Sequence, residues 1–137
     1  MNTEGGCLCG AVRWCYQGPV NWTAHCHCES CRRNCAAPMT TFVGVPREAF
    51  AWTGASVATY VSSPGVRRCF CGNCGSPVAF DADHYADEIH LYAAGHDDPS
   101  ALRPQVHVFW SEALPWLHME DGLRRFEGSG NDEGIGA

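Results

Sequence analysis

The chain has 137 residues and 45% hydrophobic content, enough for one domain with a real core and too little for two. Its formal net charge of −6, with only 9 Lys and Arg, argues against nucleic acid as a partner, because such binding needs a basic face. Residues 1–6 show neither the basic nor the apolar region of a secretory signal, and no run approaches the roughly 20 apolar residues of a membrane span. The expectation is therefore a cytoplasmic protein without a membrane partner.

Turn residues punctuate a series of short β-rich runs. A strand is predicted from Ala11 to Tyr16, and Ser30 to Cys35 could form one helical turn. Strands follow over Thr40 to Val45, rich in Thr, Val and Phe, and over Val57 to Ser62, which alternates apolar with small polar residues. Val66 to Cys71 and Pro77 to Phe80 flank a Cys-Gly turn and read as a hairpin. Glu88 to Ala93 puts Ile89 and Leu91 on one face and His90 and Tyr92 on the other. Asp98 to Leu102 opens like a short helix with Asp98 as its cap, and Gln105 to Trp110 alternates as a strand does. The pattern predicts an all-β fold with one or two short helical turns. Residues 1–128 form the expected domain, and the small polar residues 129–137 read as a disordered tail.

Ten cysteines are far above ordinary usage, and in a reducing compartment clustered cysteines mean metal rather than disulfides. They fall as Cys7-x-Cys9, Cys26-x-Cys28-x2-Cys31 and Cys71-x2-Cys74. Two thiolates from one tight turn set one edge of a tetrahedron, so close pairs suit zinc. The clusters contribute two, three and two ligands. The natural partition joins Cys7, Cys9, Cys71 and Cys74 in a closed structural site and leaves Cys26, Cys28 and Cys31 to hold a second zinc with one position free. Other partitions stay open at this point: Cys69 could extend the late cluster, and His25 or His27 could close the middle one. Cys15 and Cys35 read as ordinary small buried residues, and His90 and His107 as bland strand residues.

The strings Gly6-Cys7-Leu8-Cys9-Gly10-Ala11-Val12-Arg13, Cys26-His27-Cys28-Glu29-Ser30-Cys31-Arg32-Arg33 and Phe70-Cys71-Gly72-Asn73-Cys74-Gly75-Ser76 resemble the glutathione-dependent formaldehyde-activating enzyme family, whose domain is shared with centromere protein V. Val106-His107-Val108-Phe109, Pro115-Trp116 and the ending from Leu123 to Gly128 are similar to the family's C-terminal pattern. The resemblance implies a zinc-binding fold of the β-tent type, built from several coiled sheets. It implies a structural zinc at Cys7, Cys9, Cys71 and Cys74 and a second zinc at Cys26, Cys28 and Cys31, two ions in all. It also implies carbon–sulfur lyase chemistry, the joining of glutathione to formaldehyde as S-(hydroxymethyl)glutathione. One departure bears on the site: where family members often place a small residue and glycine, this chain has Asn34-Cys35.

The expected partners are a small thiol such as glutathione and formaldehyde or another small electrophile. A zinc with a free position would hold the thiol as thiolate, His27 could protonate the developing alkoxide, and Arg32 could pair with a substrate carboxylate. The competing reading is a zinc-stabilised binding module or thiol carrier without catalysis. Exposed aromatic residues at Trp110 and Trp116 would permit a homodimer.

Overall fold

The computed structural model describes residues 2–131. Among them lie the strands β1 (Asn2–Gly6), β2 (Arg13–Gln17), β3 (Trp22–Cys26), β4 (Thr40–Pro46), β5 (Phe50–Trp52) and β6 (Ala58–Ser63). The second half adds β7 (Val66–Phe70), β8 (Pro77–Ala82), β9 (Glu88–Tyr92), β10 (Val106–Val108) and β11 (Arg124–Arg125), and the α-helix α1 spans Glu29–Cys35. The molecule is β-rich, as expected. A three-stranded sheet runs β1-β2-β5, and an eight-stranded sheet runs β11-β10-β3-β4-β9-β8-β7-β6.

Most expected strands stand close to their predicted bounds, and Asp98 caps a short 3-10 turn by accepting from the Ser100 N–H. The strand expected from Ala11 begins only at Arg13, because Val12 is held in the preceding turn: its carbonyl accepts from the Cys7 N–H at 3.1 Å. Four strands were not expected. β1 reads Asn-Thr-Glu-Gly-Gly and offers no apolar run; it forms because all five of its residues pair antiparallel with β2. β3 contains only five residues and ends inside a cysteine motif, which hid its alternation. The tail expected over residues 129–137 is described as far as Asn131, whose side-chain amide donates to the Tyr85 hydroxyl at 2.7 Å. Residues 132–137 lie outside the described residues.

Strand alternation gives the large sheet two different faces. Val43, Val45, Ile89, Leu91, Cys69 and Ala79 point to one side and pack with Val12, Trp14 and Tyr16 of the first hairpin. Ala24, Cys26, Phe42, Tyr92 and Val108 point to the other, where Cys31 of α1 and Phe126 complete a second core. The antiparallel pairing of β4 with β9 matches Val43 to Leu91 and Phe42 to Tyr92, so each core continues across neighbouring strands.

β10 joins the sheet by pairing parallel with β3, Val108 opposite Cys26. This brings a late segment beside the middle cysteine cluster. On the same face, Trp22 lies over Gly44: a Cβ added at Gly44 would fall 2.3 Å from the indole. The indole N–H donates to the Glu88 carboxylate at 3.1 Å, so the ring cannot swing away freely. Gly44→Ala is therefore expected to lose about 1–3 kcal/mol by overpacking. Gly128→Ala, where nothing lies within 4 Å, serves as its neutral control in denaturant unfolding.

Candidate metal centre and active site

Two turns build the first centre. After β1 the chain turns through Cys7–Gly10, closed by the Gly10 N–H donating to the Cys7 carbonyl, with Gly10 at φ 81°. After β7 a second turn is closed by the Gly75 N–H donating to the Cys71 carbonyl, with Gly75 also at φ 81°. The turns meet where the Leu8 N–H donates to Ser76 Oγ at 3.0 Å. The sulfurs of Cys7, Cys9, Cys71 and Cys74 then lie within 4.8 Å of one another. Among the described residues no other group of potential metal ligands is drawn together so tightly.

Backbone and side-chain N–H groups aim at these sulfurs. Val12 N–H donates to Cys7 Sγ at 3.2 Å, the N–H groups of Asn73 and Cys74 donate to Cys71 Sγ at 3.4 Å, and the Asn73 amide donates to Cys9 Sγ at 3.3 Å. Such donors favour thiolate over thiol. The Ser76 hydroxyl, with backbone donors, lowers the Cys74 thiol to about 5. Four sulfurs converging within 4.8 Å, each accepting N–H or hydroxyl contacts or set beside such donors, fit a tetrahedral zinc. Cys69 does not join them: it lies in the apolar core, and burial pushes its thiol up to about 11. Cys15, on β2 opposite Ala51, also lies outside the group.

The second cluster forms where β3 runs into α1. Cys26 ends the strand, Cys28 occupies the N-cap position and Cys31 lies in the first turn of the helix. The three thiols interact: hydrogen bonds from Cys26 and Cys31 hold the Cys28 thiol far below its usual range, with backbone donors at Ser30 and Cys31 adding to the effect. The same contacts and burial push Cys26 up. Three thiols gathered at one strand–helix junction are a donor set that would suit a soft cation.

All three cysteines line one cavity of about 150 Å3. Trp22, Phe42, Phe80 and Phe109 supply its aromatic walls, and Ser129 and Asn131 of the C-terminal segment also border it. Two polar residues that sequence reasoning passed over complete it. His90 lines the cavity and engages Glu88 at 3.0 Å. Arg68 lines it too, and its Nη1 donates to Cys31 Sγ at 3.3 Å. Burial opposes the charge on Arg68, and the contact with the Cys31 sulfur, helped by Tyr92, more than offsets it.

His27 and Arg32 are placed elsewhere. Neither lines the cavity. His27 is fully buried with its Nε2 at 2.8 Å from His107 Nδ1, and its ring meets Trp110 edge-on. Burial, reinforced by His107 and His25, pulls its titration down to about 4, so its imidazole is neutral, not cationic, at neutral pH. Arg32 donates to the carbonyls of His27 and Glu112 and so fastens the start of α1. His25 is engaged by Thr41 Oγ1 at 2.8 Å and does not reach the cavity either. Closure of the second site by His25 or His27 therefore finds no support. Cys35 donates to the Cys31 carbonyl one helical turn earlier.

The fold and the paired cysteine turns define a β-rich protein with a four-cysteine, zinc-type centre. The family model for the glutathione-dependent formaldehyde-activating enzyme matches residues 2–112, and the chain belongs to that family. An uncharacterized lyase of Schizosaccharomyces pombe is 34% identical over 77 residues, which cover 56% of this chain and 56% of the relative. The match thus spans just over half of that relative's length. A Halomonas elongata protein named as a putative glutathione-dependent formaldehyde-activating enzyme is 27% identical over 131 residues, 88% of this chain and 82% of the relative. A Rhodobacter sphaeroides protein of known crystal structure shares the fold, with a TM-score of 0.59 at 18% identity over 74% of this chain and 91% of that one.

The two cysteine clusters should respond differently to mutation. Cys74→Ser removes a ligand that ties two turns far apart in sequence. We expect it to destabilise the domain by an amount similar to a lost disulfide, about 2–5 kcal/mol. Cys28→Ser breaks a cluster confined to one strand–helix junction and should change the melting temperature far less. Thermal melts of the two variants check this, and equal large drops would make the second cluster structural as well.

Proposed function

We propose that the chain is a zinc-dependent enzyme of the carbon–sulfur lyase type. It joins a thiol such as glutathione to formaldehyde, or to another small electrophile, at the cluster of Cys26, Cys28 and Cys31. The observation that carries this reading is the cavity: the three cysteines line one aromatic-walled space that neither His25 nor His27 enters. The family match and the lyase names of its relatives support the same chemistry. The four-cysteine centre takes the structural part, giving two zinc ions per chain.

A zinc ion held by the three cavity cysteines would supply an acceptor for an incoming thiol in its ionised form, a nucleophile at neutral pH. The protein's own contribution is placement. The aromatic walls keep water from the thiolate and hold the electrophile close, and proximity supplies much of the rate. No helix of the structure is long and apolar enough to cross a membrane, and all ten cysteines are free thiols. Those thiols support a reducing, cytoplasmic setting.

Metal analysis of the purified protein should approach two zinc per chain, with one removed by mild chelation while the fold persists. In the cobalt-substituted protein, glutathione should change the ligand-to-metal absorption and release a proton. One metal per fully loaded chain, or a spectrum indifferent to thiols, would favour the non-catalytic binding module.

A further inference from the structure

Arg68 is the one arginine buried among the described residues. Arg13, Arg33, Arg47 and Arg67, all more exposed, pair with carboxylates. Arg68 is only 6% exposed, and among the described residues no carboxylate meets it. Its neighbours are Cys31 Sγ, Ser62 Oγ at 3.4 Å and the Phe80 ring, over which the guanidinium lies at 4.8 Å. The Tyr92 hydroxyl, on the same face of the sheet, accepts from the Asn34 amide at 2.6 Å.

A guanidinium withdrawn from water without a counter-charge is costly, and the sulfur of Cys31 is the nearest group in the structure that could supply one when ionised. Charge alone would be served by a residue that merely touches Cys31. Arg68 does more, because it also forms part of the cavity wall. Its five N–H donors exceed what Cys31 and Ser62 engage, and the group lines the reaction space. Arg32 is committed to backbone carbonyls, and His90 is engaged by Glu88.

Resting on the open thiol position proposed above, we propose that Arg68 is a catalytic residue of the addition: its guanidinium stabilises the oxyanion that develops one carbon away from the attacking sulfur. The thiolate lone pair forms the C–S bond, and the π pair of the C=O bond moves onto oxygen. Water delivers the proton that converts the alkoxide to the hydroxyl. Arg68 keeps its own protons throughout, since arginine is not deprotonated in proteins. A fixed cation in a low-dielectric cavity acts strongly on charge that appears only as the reaction proceeds.

Mercaptoacetate tests this, because it carries a stable oxyanion close to its sulfur. Its neutral counterpart is methyl mercaptoacetate. Each is titrated into the cobalt-substituted full chain and followed by the ligand-to-metal absorption. The native protein should prefer the carboxylate by about tenfold or more, the value of one charge-assisted hydrogen bond. In Arg68→Gln the ratio should fall towards one while the ester binds within about threefold of native, as expected if only one charge-assisted contact is lost. Arg68→Lys, which keeps the charge and loses the planar fork, should lie between. A ratio near one in the native protein overturns the inference and requires no variant. A preference that survives Arg68→Gln overturns it too, since the metal alone would then be reading the carboxylate. Silence towards both thiols is a separate result: it removes the open position itself, and with it the inference.

Discussion

The convergence of four sulfur atoms from two distant turns is the constraint on which the rest of the molecule depends. Cys9 and Cys71, 62 positions apart, bring their sulfurs to 3.8 Å. One turn belongs to the small sheet and the other to the large one, so the cluster holds the two sheets in fixed relation. Cys7, Cys71 and Cys74 also pack against the core that those sheets enclose. Four thiolates so close repel one another unless a cation stands among them, which makes metal and fold parts of one equilibrium. The N–H donors around the sulfurs ease the same repulsion from the protein side.

Once the sheets are fixed, alternation distributes the chemistry. Trp22 and Cys26 on β3, Phe42 on β4, Arg68 on β7, Phe80 on β8 and His90 on β9 all reach the same cavity. The intervening residues His25 and His107 face the other way, and His107 there contacts His27 and Asp121. A one-residue slip in any of these strands would exchange a cavity residue for a core residue, so the register and the site are specified together. The mixed topology matters as well. Without the parallel pairing of β10 with β3, Val108 and Phe109 would not close the cavity.

Much of this could be read from the chain itself. The cysteine spacings singled out the four cysteines whose sulfurs the structure brings together, because such a cluster is built from short turns whose residues are neighbours in sequence. The face assignment along β9 was legible for a similar reason: Ile89 and Leu91 against His90 and Tyr92 is a local pattern. What the alternation did not reveal was that the polar face opens on a cavity, a property of six strands at once. Arg68 was invisible because nothing in Val66–Phe70 announces that its middle arginine will be buried beside Cys31, 37 positions away. His27 misled in the opposite direction. Its place between two cysteines suggests chemistry, yet the chain direction at the end of β3 turns its ring to His107 instead.

The parallel docking of β10 also bears on how the protein comes into being on the ribosome. The cysteines of both clusters have all been synthesised by residue 74, and the first centre can gather its sulfurs before the second half is complete. The cavity cannot. Its walls include Val108, Phe109, Ser129 and Asn131, so the reaction space stays open until almost the whole described chain has emerged. A metal at the first centre could thus be taken up during translation, whereas the cavity exists only in the finished molecule.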